Sequence, residues 1–195
     1  MEKKLTELVF ILDRSGSMGG LEDETIKGYN SVVKKQSEIG GKLLITTVLF
    51  DNEYEVVFDG VEPSKAILDN DIYFVRGSTA MLDAIGKTIT SLKDRYLKLP
   101  EDKKPAKTII AITTDGYENA SREFTYLSVQ SLIKEQKEKD WDFIFLASGI
   151  DEKKVGNSIG LSKDDILPAF CKTKKGMQSM SKSMCEAMSS RRKYY

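Results

Sequence analysis

Histidine is absent from the 195 residues. That removes the commonest zinc ligand and the usual general base, and both absences weigh against a hydrolase. Cysteine is scarce: Cys171 and Cys185 are the only two, and two thiols in a chain without an export signal are expected to stay reduced. Long apolar stretches are missing as well. Met1-Glu2-Lys3-Lys4 leads straight into a strand pattern, without the apolar segment and small-residue cleavage site of a secretory signal. The expectation is a cytoplasmic protein with no membrane attachment. Charge of one sign is not in excess either. Thirty Lys and Arg balance thirty Asp and Glu, so no global field favours nucleic acid or an anionic membrane as partner. The chain also lacks a Gly-x-x-x-x-Gly-Lys-Ser/Thr loop and a Gly-x-Gly-x-x-Gly turn after a strand, the glycine-rich cradles of nucleotide-binding enzymes. No internal repeat, low-complexity tract or interdomain linker is visible.

What is present is a soluble composition, 40% apolar, in a length that supports one domain spanning 1–195. Strand and helix patterns alternate, which predicts an α/β fold. Strands are expected at about residues 6–12, at Leu43–Phe50 and Glu53–Phe58 as an antiparallel hairpin around Asp51-Asn52, at Lys107–Thr113, at Phe143–Ala147 and at Ile166–Phe170. Helices are expected at Glu22–Glu38, stopped by Gly40-Gly41, at Thr79–Leu97, Thr125–Lys139 and Glu152–Ile159, and from about Lys175 onward. Asp59–Val75 reads as a connection with one short helical turn. Residues 191–195 read as a frayed tail.

The most informative segment is the first strand and the turn after it. Leu8-Val9-Phe10-Ile11-Leu12 is an unbroken apolar run, the pattern of a parallel strand buried on both faces. It ends in Asp13-Arg14-Ser15-Gly16-Ser17-Met18. Open α/β sheets bind ligands at the carboxyl ends of their strands. Asp13, Ser15 and Ser17 place a carboxylate and two hydroxyls at alternate positions of one short turn, and hard cations such as Mg2+ take oxygen ligands. A helix N-cap is the plainer explanation of such residues, yet a cap accounts for one of them and not three. Two distant segments add to the pattern. Gly77-Ser78-Thr79-Ala80-Met81 puts a hydroxyl at the mouth of a helix, and Thr108–Thr113 is a second apolar strand that runs into the acidic turn Thr114-Asp115-Gly116.

Asp-x-Ser-x-Ser after the first strand, a Thr before a central helix and an Asp after the fourth strand resemble a von Willebrand factor type A domain with a complete metal-ion-dependent adhesion site. The match falls on Asp13, Ser15, Ser17, Thr79 and Asp115, and the resemblance covers most of the chain. Within the family, Thr113 to Arg122 is most similar to small, stand-alone bacterial or phage members. The resemblance implies a Rossmann-like, doubly wound, mostly parallel sheet of six strands in the order 3-2-1-4-5-6, strand three antiparallel, with helices on both faces. Strands one and four are then neighbours at the topological switch point, so Asp13 and Asp115 flank one crevice.

It also implies a site chemistry. Ser15, Ser17 and Thr79 coordinate Mg2+ through their hydroxyls, while Asp13 and Asp115 act through water or by orienting the serines. Neutral direct ligands leave the ion electrophilic, with one position open to an Asp or Glu carboxylate of a partner protein. Mn2+ accepts the same oxygen set. Bacterial members often work beside ATPase, chaperone or stress-response proteins, which sets the expected partner class. Two other functions compete: a structural subunit whose metal only stabilises the loop, and a metal-assisted hydrolase, for which no nucleophile–base pair is evident.

Neighbouring residues carry weaker expectations. Arg14 is expected to face solvent or a partner. Arg76 is expected to pair with a nearby acid. Glu118 and Asn119 either shape the rim of the site or serve an ordinary turn. Met177, Met180, Met184 and Met188 recur at helical spacing and are expected to pack a final helix onto the sheet, an adaptable binding face being the alternative.

Overall fold

The computed structural model describes residues 4–192. Its elements follow one another as β1 (Thr6–Asp13), α1 (Glu22–Glu38), β2 (Leu43–Phe50), β3 (Tyr54–Val61), α2 (Met81–Lys98), β4 (Lys107–Thr114), α3 (Tyr126–Lys137), β5 (Trp141–Ala147), α4 (Glu152–Ser158) and α5 (Lys174–Arg192). The strands form a five-stranded sheet in the order β3-β2-β1-β4-β5. β1 runs parallel to both β2 and β4, β5 runs parallel to β4, and only β3 is antiparallel.

The apolar runs explain the layering. Every residue of β1 and β4 is buried, and alternate side chains feed opposite faces of the sheet. Leu8, Phe10 and Leu12 join a core with Tyr29 and Val33 of α1 and Met177, Met180, Met184 and Met188 of α5. Val9 and Ile11 join a second core with Ile85 and Ile89 of α2, Val129 and Ile133 of α3, and Val155 of α4. The methionine spacing on the last helix is therefore a core stripe. The chain leaves β1 toward the α1 face and β4 toward the α3 face, which opens a crevice between the carboxyl ends of these two strands.

Three expectations need correction. The sheet has five strands, not six: the segment expected as a last strand makes only two isolated parallel bridges, Phe145↔Ile166 and Ser148↔Phe170. The two bridges are offset by one residue (Phe145 with Ile166, Ser148 with Phe170), so the segment slips register between them and no continuous ladder forms. The second helix begins at Met81 rather than Thr79, which leaves Thr79 in the loop before it. The last helix continues through Arg192 where a frayed tail is expected from 191. Arg192 is buried and donates to the Gln36 carbonyl and side chain and to the Gly40 carbonyl. The remaining residues of that expected tail, 193–195, lie outside the described residues.

Candidate metal centre

β1 ends at Asp13, which is buried. Its Oδ1 accepts the Ser15 N–H at 2.7 Å and its Oδ2 the Thr114 hydroxyl at 2.6 Å. Its carbonyl accepts the Tyr73 hydroxyl at 2.7 Å. The chain then turns through a short 3-10 helix, Gly16–Met18. That turn brings the Ser15 and Ser17 hydroxyls within 3.0 Å of each other. Ser17 donates to Asp115 Oδ1 at 2.5 Å across the crevice, although the two are 98 positions apart in sequence. Four of the five expected residues are thus joined in one chain of contacts.

Thr79 completes the set from a third loop. A methyl group placed on Gly116 would come within 3.0 Å of the Thr79 hydroxyl and 3.5 Å of the Ser17 hydroxyl. Both oxygens therefore lie against the bare face of Gly116, directly after Asp115. Thr79 is held there by the loop that follows β4. Its N–H donates to Asn119 Oδ1 at 2.9 Å, and its carbonyl accepts the Asn119 and Ala120 N–H groups.

Sequence reasoning missed much of the scaffold. Ala80, the residue before α2, caps nothing with its side chain. The orphan amides of the first turn are satisfied from the loop after β4: Leu82 N–H donates to Glu118 Oε2 and Asp83 N–H to the Ser121 hydroxyl. In return Asp83 accepts the N–H groups of Arg122, Glu123 and Phe124. Burial alone would raise the Asp83 carboxyl, but these three amides outweigh it and hold it below the usual carboxylate range. Glu118 and Asn119 brace two loops against each other. The signal available in sequence was negative: a helix start with no capping residue at Ala80.

Arg14 corrects a second expectation. It is fully buried, not turned to solvent, and pairs with buried Asp51 at 2.9 Å and with Glu55 at 2.7 Å. The register explains this. Asp13 stands beside Phe50 in the parallel pair, so Arg14 falls beside Asp51, and its side chain points opposite to those of Asp13 and Ser15. Arg76 also reaches Asp51, at 2.8 Å, and Glu53 at 2.6 Å, as an ion pair of the expected kind. Burial would raise the Asp51 carboxyl, but hydrogen bonds from Arg76, the Glu53 N–H and Arg14 hold it lower than usual. The main chain repeats the connection. Arg76 N–H donates to the Arg14 carbonyl, Gly16 N–H to the Gly77 carbonyl and Ala80 N–H to the Asp51 carbonyl. Gly77 has φ +65, a conformation that favours glycine, and a Cβ there would stand 1.9 Å from Asn52 Oδ1, so a larger residue would strain the loop carrying Thr79 and displace the Asn52 side chain.

The electrostatics suit a cation. Burial pushes the Asp13 carboxyl up, hydrogen bonds from Ser15 and Thr114 offset part of this, and the charge of Asp115 adds to it. No cationic side chain pairs with Asp13 among the described residues. Asp115 Oδ2 is buried and accepts no hydrogen bond among them. Lys172 Nζ stands 2.6 Å from it as an ion pair outside hydrogen-bond alignment. Buried carboxylate oxygens left in this state mark a place shaped for positive charge. No group of three or more His, Cys, Asp or Glu side chains suited to a metal occurs among the described residues, so a cation here depends on the three hydroxyls. Two carboxylates and three hydroxyls form an all-oxygen set of the type hard divalent ions take.

No family model matches the chain, and no curated protein matches it by sequence. Solved structures do match its fold. The PilB minor pilin from Streptococcus sanguinis superposes with a TM-score of 0.67 at 13% identity, over 97% of this chain and 62% of the pilin. The pilus adhesin SpaC from Lactobacillus rhamnosus GG, in an open conformation, gives 0.67 at 12% identity, over 96% of this chain and 31% of the adhesin. Proximal thread matrix protein 1 from the mussel byssus, described with a zinc-occupied MIDAS motif, gives 0.60 at 13% identity, over 94% and 46%. The chain spans less than two thirds of each of these proteins. The fold they share with it is von Willebrand factor A-like.

Proposed function

We propose that the chain is a divalent-metal-dependent protein-interaction module. Ser15, Ser17 and Thr79 hold Mg2+, or Mn2+, by their hydroxyls, with Asp13 and Asp115 acting through water or by orienting the serines. The bound ion supplies an electrophilic position for an Asp or Glu carboxylate of a partner protein. The observation that carries this reading is the convergence of three hydroxyls and two carboxylates, from three loops, at the carboxyl ends of β1 and β4: Ser17 meets both Ser15 and Asp115 Oδ1, and Thr79 and Ser17 lie against Gly116. Likeness of fold to a pilus adhesin and to a matrix protein with a metal-occupied site supports it. The partner class we propose is an ATPase, chaperone or stress-response component in the cytoplasm, with no role for nucleic acid. No helix among the described residues is long and apolar enough to cross a membrane.

Manganese binding followed by electron paramagnetic resonance tests the ion, with Ser17→Ala as the variant. The expected outcome is a single site in the wild type, weakened about 10- to 100-fold in the variant. Affinity capture in Mg2+ and in EDTA tests the partner. Retention that needs both metal and Ser17 supports adhesion. Retention indifferent to EDTA reduces the metal to a structural role, and phosphoester turnover lost with Ser17 would make the site catalytic.

A further inference from the structure

We propose that Lys172 is a tethered competitor of the metal: its ammonium group neutralises Asp115 in the metal-free protein and has to withdraw before a divalent cation enters. The inference rests on the reading of this site as a cation centre, and it adds a residue from the loop before α5 that the five-residue motif does not contain.

The geometry is specific. Asp115 has two carboxylate oxygens in different situations. Oδ1 accepts the Ser17 hydroxyl, whereas Oδ2 is buried, accepts no hydrogen bond among the described residues and stands 2.6 Å from Lys172 Nζ. The ammonium is delivered by a short loop pinned on both sides. Before it, Phe170 bridges Ser148, and its carbonyl accepts the Gly149 N–H. After it, Thr173 begins the helical bonding of α5, accepting the Met177 N–H on its carbonyl and the Gly176 N–H on its hydroxyl. The lysine stem also has a seat. A Cβ on Gly149, whose φ is +74, would touch Lys172 Cβ and Cδ at 3.7 and 3.8 Å, so the stem lies over the bare face of that glycine. A lysine that merely wandered across the surface would have neither a pinned base nor a matched floor.

Charge decides the consequence. Two carboxylates with one ammonium leave the pocket one unit negative. A divalent ion added beside the ammonium would meet a like charge at a distance where repulsion is substantial, even at the effective dielectric of a protein surface. Lys172 has somewhere to go: its side chain is 37% exposed, and a flexible four-carbon stem reaches solvent without moving the backbone. Displaced, it stays at the rim, where its charge faces an arriving carboxylate. The chain thus carries its own cation, which lowers metal affinity below what the five ligands alone would set and couples metal entry to exposure of a basic group.

The test uses the full chain with Lys172→Gln, Lys172→Met, which keeps the stem over Gly149 without the charge, and Lys172→Arg. Manganese affinity is measured by electron paramagnetic resonance and magnesium affinity by calorimetry. The neutral variants are expected to bind metal roughly three- to tenfold more tightly than wild type, the scale of one partly exposed charge contact, and Lys172→Arg to stay near wild type. In EDTA, Lys172→Gln is expected to lower the melting temperature, and to do so no longer when Asp115→Asn is already present. Equal or weaker metal binding by both neutral variants overturns the competitor and leaves the cation centre standing. Failure of wild type and all variants to bind either ion overturns the cation centre and the competitor with it.

Discussion

Arg14 shows how much of this site is set by a single side chain that never faces the ligand. It sits between Asp13 and Ser15, yet alternation turns it away from them and into the interior, against Asp51. Both members of that pair are fully buried, and removal of Arg14 takes one of two arginines from Asp51, leaving Arg76 and the Glu53 N–H to hold its carboxylate. Arg14→Ala is expected to cost about 1.5–3 kcal/mol of stability in urea unfolding, the scale of a lost hydrogen bond to a charged group. The double variant with Asp51→Ala is expected to cost clearly less than the two single effects together. Additive losses would mean that the pair is not the source of the stability. Arg76 shares Asp51 but is partly exposed, so its loss is expected to matter less, about 1 kcal/mol or below.

At the scale of the element, α2 is the dependent part of the arrangement, because its first turn borrows its caps from the loop after β4, the same loop that holds Thr79 just before it. Glu118 and Ser121 satisfy its orphan amides, and Asp83 answers by binding three amides of the same loop. Glu118→Ala is expected to cost about 1–2 kcal/mol, the scale of a lost cap. Because it also loosens Thr79, metal affinity is expected to fall with it in a manganese titration. Asp83 adds a pH dependence whose sign follows from its lowered carboxyl. A group depressed in the folded state stabilises fully above its unfolded value, 3.8 for this carboxyl, and that contribution is lost as pH falls through the lower folded value. Asp83→Asn is therefore expected to be less stable than wild type near neutrality and to lose less further stability below pH 3.8. Urea unfolding at a series of pH values checks this, and parallel pH profiles would argue against it.

For the whole molecule, the sheet is sealed on one face by α1 and α5 and on the other by α2, α3 and α4. α5 contributes Met177, Met180, Met184 and Met188 to the first of these cores. Each buried side chain of this size is worth about 1.5–3 kcal/mol, and the four together approach the roughly 5–15 kcal/mol that a domain possesses in all. A chain ended at Thr173 is expected to lose its cooperative unfolding transition, which circular dichroism in urea would show. Metal binding acts on the same balance by mass action. If the site binds as proposed, Mg2+ at a hundredfold excess over its Kd raises stability by about 2.7 kcal/mol, and Ser17→Ala, binding about 10- to 100-fold more weakly, reduces the shift at the same Mg2+ concentration to about 0.4–1.4 kcal/mol. The shift by itself does not distinguish adhesion from a structural metal, so the partner capture remains the deciding measurement for function.

The sequence by itself marked five of the strands, because apolar runs of strand length must be buried, and the family resemblance supplied their order and with it the crevice between β1 and β4. It also placed Asp13, Ser15, Ser17, Thr79 and Asp115 at the ends of elements facing that crevice, since each is chemically unusual where it stands. The register slip that keeps Ile166–Phe170 from becoming a sixth strand was visible only in the structure. Only the tertiary structure decided that Arg14 turns inward, that Glu118, Ser121 and Asn119 hold the start of α2 and its preceding loop, and that Lys172 reaches Asp115. These contacts join residues 36 to 57 positions apart. Nothing in their local pattern distinguishes them from the other polar groups of their loops. A local pattern records which side chains must leave water, whereas the partner of a buried charge or an orphan amide depends on register and on which loops the sheet brings side by side.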